Sequence, residues 1–116
     1  MPMIRLNKPT ADEYPEFYAT YMAHLDADER DVVTILRTQG LQVLAGLKRI
    51  TDEQADHRYA EGKWSTKKLV GHIIDTERLF AFRALWIARN EANAQPGMDE
   101  NVWAAHSNAG SRSRME

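Results

Sequence analysis

Apolar side chains at Tyr14, Phe17, Tyr18, Tyr21, Met22 and Leu25 recur at the i, i+3, i+4, i+7 spacing of one helix face and predict a first helix near residues 12–25. Thr10 or Asp12 is placed to cap it, and Pro15 fits its opening turn, where an amide hydrogen has no helical partner to lose. Asp26 followed by Glu29 has capping-box spacing. Beyond it Val32, Val33, Leu36, Leu44 and Leu47 mark a second amphipathic helix over about 27–49. Gly40 and Gly46 each weaken that helix by about 1 kcal/mol relative to Ala, so either a neighbour approaches closely there or the helix is imperfect. Residues 51–63 are polar and lose the helical period, which predicts a loop with one short turn at Thr51 to Gln54.

The third helix carries the strongest signal. Ser65 is placed as its cap, while Trp64 before it and Leu69 within it have the spacing of a hydrophobic staple. From Thr66 to about Arg89 no proline interrupts, and apolar residues are dense enough for burial on more than half the circumference, so this helix is expected at the centre of the fold. After Asn90 the chain turns small and polar around Pro96 and Gly97. Asp99 to His106 then has room for a short helix, and the segment from Ser107 reads as a frayed tail. No strand-like alternation, internal repeat or βαβ unit is visible, so the expectation is an all-α fold of helices packed on helices. It assigns residues 1–106 to one helical domain and 107–116 to an irregular polar tail.

Composition narrows the function classes. The 116 residues suit one compact domain, and 43% apolar with 28% charged residues is the balance of a folded, water-soluble chain. Fifteen Lys and Arg against 17 Asp and Glu leave no broad positive field for nucleic acid or an anionic bilayer, so neither is an expected partner. No apolar run is long enough to cross a membrane, and Met1 to Thr10 lacks the apolar middle of a secretory signal, which predicts a cytoplasmic protein. With no cysteine, a metal would have to rest on Asp, Glu and the four histidines, His24, His57, His72 and His106.

A helical wheel of the third helix puts Leu69, Ile73, Phe80, Ala84 and Ile87 in one stripe, with His72, Thr76 and Arg83 along its edge. An edge histidine is read first as a hydrogen-bonded group at a helix interface. No H-x-x-x-H or H-E-x-x-H accompanies His72, and Glu77, five residues on, points to a different side. Glu77 has no cation three or four residues away on its helix. It needs a partner such as Arg30 or Arg37, or else burial keeps it protonated. Asp75 and Arg78 are spaced for a weak surface pair. Tyr59, Gly62, Lys63, Trp64 and Ser65 have a structural account as aromatic plug, turn and cap, and Trp86 and Trp103 read as packing groups.

The stretch from Tyr59 through Gly62-Lys63-Trp64-Ser65, then Leu69-Val-Gly71-His72-Ile-Ile-Asp75-Thr76-Glu77-Arg78 and Phe82-Arg83-Ala84-Leu85-Trp86-Ile87-Ala88-Arg89, resembles the DinB-like (YfiT-like) superfamily. The resemblance continues through Pro96-Gly97-Met98-Asp99-Glu100 and covers about nine-tenths of the chain. It implies an up-down four-helix bundle in which three histidines hold a divalent metal, zinc or nickel, at one end of the interior. The position matching the first ligand is His72. Relatives include thiol-dependent transferases and isomerases and proteins described as metal-dependent hydrolases. In the family a further long helix brings two histidines at i and i+4, whereas this sequence stops at Glu116, so the expectation is a bundle lacking its last helix and its other two ligands. One imidazole does not hold a catalytic zinc, so the isolated chain is expected to be inactive unless His24, His106 or a second copy's His72 substitutes. An uncovered helix face predicts self-association as a homodimer, domain-swapped in one form. The rival class is a non-catalytic helical oligomerisation module. A small-molecule substrate is expected in the enzyme reading, without its identity.

Overall fold

A computed structural model of the chain describes residues 6–113. Pro2 in the lead and the end of the tail from Arg114 lie outside the described residues. The described chain is helical, with no strand: α1 (Ala19–Asp26), α2 (Val32–Leu47), α3 (Asp52–Asp56), α4 (Thr66–Ala88) and α5 (Glu100–Ala105), with 3-10 turns at Glu16–Tyr18 and Ala109–Ser111. None of these helices is long and apolar enough to cross a membrane. The contacts divide the chain into two compact units, Met1–Arg49 and Ile50–Glu116.

In the first unit both helices start later than the hydrophobic period suggests. Thr10, Asp12 and Glu13 spend their side chains on one another, Thr10 Oγ1 donating to Asp12 at 2.6 Å and the Thr10 amide to Glu13 Oε2 at 2.7 Å. They form a turn, and the chain enters α1 only after Pro15 and the short 3-10 turn, with no side-chain cap. Phe17, Tyr18 and Tyr21 stack as an exposed aromatic cluster with centroids 5.2–6.3 Å apart. Asp26, the expected cap of the second helix, is instead the last residue of α1. Lys8 Nζ donates to the carbonyls of Leu25 and Asp28, satisfying acceptors that the end of α1 leaves open. The working cap of α2 is Asp31, whose carboxylate accepts from the amides of Val33 and Thr34 at 3.1 Å and from the Thr34 hydroxyl at 2.6 Å.

Between these helices Arg30 donates to both oxygens of Asp28, at distances from 2.6 to 3.2 Å. Those hydrogen bonds hold the Asp28 carboxyl down to about 2 from its ordinary 3.8. A carboxyl depressed on folding contributes stability that is present above its ordinary value and lost as pH falls through the depressed one. The pairing contribution is therefore expected to disappear between 3.8 and about 2. An NMR pH titration is expected to read Asp28 near 2 in the native protein and closer to 3.8 in Arg30→Gln. An unchanged value in that variant would refute the assignment.

The second unit is built around α4. Ser65 caps it as its spacing predicts: its hydroxyl accepts from the Lys68 amide at 3.2 Å, and the residue is only 6% exposed. The short turn expected at 51–54 is the start of a true helix, α3, closed by a capping box between Thr51 and Gln54. Lys67 pairs with Asp56 at 2.9 Å and the Thr66 amide donates to the His57 carbonyl at 3.1 Å, so α3 is tied to the head of α4. Asn90, at φ 56°, terminates α4 in a Schellman motif, its amide donating to Ile87 and that of Glu91 to Trp86.

Small side chains let the covering segments approach α4. Ala55, Ala104 and Ala109 are the buried apolar residues among those described, and α3, α5 and the 109–111 turn all contact α4. The tail differs here from its frayed sequence reading. Asn108 takes a left-handed conformation, Ser107 Oγ bonds the Ala104 carbonyl at 2.9 Å, and Ala109 is brought against Gly71, where an added Cβ would lie 3.1 Å from the Ala109 Cβ. A side chain at position 71 would thus press on the 109–111 turn, with a contact tight enough that Ala109 would have to give by a few tenths of an ångström. Farther along, Arg83 and Trp86 hold the following loop, donating to the carbonyls of Pro96 at 3.2 Å and Asn93 at 2.9 Å.

Candidate functional site

The site begins with how the chain enters α4. Gly62, at φ 74°, makes a turn that an L side chain would strain, and the Lys63 amide donates to the Ala60 carbonyl across it. Trp64 follows, then the Ser65 cap, so the indole stands beside the first turns of α4 in a fixed position. Two turns in, the His72 ring lies 5.1 Å from the Trp64 ring, tilted by 55°. The His72 carbonyl accepts the Thr76 hydroxyl at 2.8 Å. Its ring Nδ1 is buried and has no hydrogen-bond partner among the described residues. The bland reading, an imidazole satisfied at an interface, is therefore not what this environment supplies at Nδ1. A buried acceptor or donor without a partner costs about 1–3 kcal/mol, and Arg83 Nε and Gln95 Nε2 are placed in the same way.

The other candidates take up different places. His106 points Nδ1 at the Val102 carbonyl, 2.8 Å away. A carbonyl can only accept, so Nδ1 is the donor in this contact. His106 lines a cleft of about 370 Å³ with Asp75, Val102, Trp103 and Ser107, and His72 is not in its wall. His57 lines another cleft at the head of α4. His24 is exposed in the last turn of α1, in the first unit. Among the described residues no group of three His, Asp or Glu side chains is arranged to hold a metal ion.

The expected carboxylate roles change as well. Glu77 is exposed rather than buried, and Arg30 is already bonded to Asp28. Asp75 and Arg78 make no ion pair; those found among the described residues are Arg30–Asp28 and Lys67–Asp56. Arg83, grouped with His72 by the wheel, serves the 93–96 loop, and its guanidinium carbon lies 5.8 Å from the centre of the Phe80 ring. Trp64 has the more direct relation to His72. Trp64 precedes the helix that carries His72, so a wheel of that helix does not reveal the contact.

Known proteins supply one match. The sequence pattern that defines the DinB superfamily matches residues 35–114, well over half of the chain and nearly all of the second unit. No curated protein and no solved structure matches.

Proposed function

Because the chain belongs to the DinB superfamily, we propose that it is a helical protein related to metal-dependent hydrolases and thiol-dependent transferases, with His72 as one ligand position for a divalent cation. The observation that carries this reading is the buried Nδ1 of His72, open to a partner beside Trp64. The rest of the donor set does not fit a tightly held catalytic ion, since a zinc enzyme uses about three protein ligands and the described residues bring no such group together. No catalytic step through a metal is therefore assigned to this chain. The setting we expect is cytoplasmic, where His, Asp and Glu rather than thiolates would do any binding in a chain with no cysteine.

Calorimetric titration of the purified chain with zinc or nickel tests this. The expected result is binding no tighter than about 10 μM, weakened or lost in His72→Ala. Sub-micromolar binding by a single chain would mean that the ligand set is complete after all. Binding unaffected by His72→Ala would put the cation elsewhere.

A second reading, a homo-oligomeric helical module, draws on the large apolar side chains left exposed in each unit. Leu36, Leu41 and Leu44 on α2 are 50–64% exposed, and Phe80 and Ile87 on α4 are 58% and 76% exposed. Contiguous apolar surface of more than a few hundred Å² usually meets a partner. Light scattering coupled to sizing is expected to give a dimer mass that is retained on dilution into the low micromolar range. A monomer mass throughout would remove this reading.

A further inference from the structure

The cleft at the head of α4 has a volume of about 480 Å³, within the range of small-molecule sites, and lies wholly in the second unit. Its wall combines the rings of Tyr59 and Trp64 and the side chain of Leu69 with Lys63, His57, Thr66 and Asn101. No carboxylate lines it. Lys63 Nζ lies 5.9 Å from the centre of the Tyr59 ring, so the cation rests over an aromatic face rather than against an acid. Tyr59 itself is 77% exposed, which contradicts its expected role as a plug.

The local backbone and cap groups are already used. Ser65 Oγ accepts from the Lys68 amide, and the Thr66 amide donates to His57. Tyr59, Lys63, Thr66 and Asn101 all line the cleft, and among the described residues their side-chain donors make no hydrogen bond. One cation, several neutral donors and two aromatic walls suit a single negative charge on a flat apolar body. A dianion would find only one lysine to meet it, and a neutral ring would leave that lysine unanswered.

We propose that this cleft binds a small aromatic carboxylate, its carboxylate on Lys63 and its ring between Tyr59 and Trp64. His72 is not in the cleft wall, so the assignment does not need the cation reading above, although Trp64, which lines the cleft, also lies against the His72 ring. The site is open and Lys63 is exposed, so one ion pair adds little and the expected affinity is on the order of 1 mM.

Benzoate titrated into the ¹⁵N-labelled full chain is the test, read at the Trp64 indole N–H, which Trp64→Phe identifies among the three tryptophans. Saturable shifts are expected at that signal and at the Lys63 and Thr66 amides. Benzamide is expected to bind about fivefold more weakly, as is benzoate to Lys63→Gln, and Tyr59→Ala is also expected to weaken it. Inorganic phosphate is expected not to saturate. The proposal is overturned if benzoate shifts fail to saturate, if benzamide or phosphate binds as well, or if Lys63→Gln leaves the affinity unchanged.

Discussion

Gly71→Val is expected to destabilise the second unit by about 1–3 kcal/mol, because the added side chain enters the space filled by Ala109. The first added carbon already lies 3.1 Å from the Ala109 Cβ and 3.8 Å from Ser107, and valine adds two further methyls beside that tight contact. Two effects compete in the smaller substitution. Gly71→Ala gains about 1 kcal/mol of helix propensity and loses a comparable amount to the tight contact, so its net effect is expected to be small. Urea unfolding followed by tryptophan fluorescence reads this unit alone, since Trp64, Trp86 and Trp103 all belong to it. A midpoint unchanged in the valine variant would show that the turn does not pack where described.

Ser65→Ala is expected to cost about 0.5–2 kcal/mol in the same experiment, the range for a lost helix cap, and to fall in the upper half of it. The hydroxyl is buried, so the Lys68 amide would lose its acceptor with little water to replace it. Ser65→Thr keeps the acceptor and is expected to recover most of the loss. His72→Ala makes a useful contrast. It removes ring packing against Trp64 but also removes a buried nitrogen with no partner, and these effects offset each other. Its stability change is expected to be smaller than that of Ser65→Ala. If His72→Ala is the more damaging, the imidazole is a packing group and its role as a ligand position loses support.

The head of α4 was legible because its signals are local: a serine cap, an indole before it and an uninterrupted apolar period up to Ala88. The start of α2 is not legible in the sequence because two aspartates compete for the cap. Asp26-x-x-Glu29 has the pattern, but Asp31 has a hydroxyl three residues on, at Thr34, that bonds back to it. The intervening Asp28 is fastened to Arg30, which holds that stretch as a turn. The tail reads as frayed because Ser107, Asn108, Ala109 and Gly110 are small or polar. Their packing depends on the gap at Gly71, and nothing in either segment alone announces it. His72 was found through its edge position and its family resemblance. Its unpartnered nitrogen and the neighbouring indole are three-dimensional facts. Asp75 and His106 come to one cleft from helices about thirty residues apart, beyond the reach of any wheel.

Nickel added to the ¹⁵N-labelled chain and followed by NMR tests most directly whether His72 is a cation-binding position. Paramagnetic broadening is predicted to begin at the His72 ring and the Trp64 indole, to deepen gradually with excess metal, and to vanish from both places in His72→Ala. Broadening centred on another histidine and untouched by that substitution would contradict the account, as would a site on one isolated chain already saturated at one equivalent of metal.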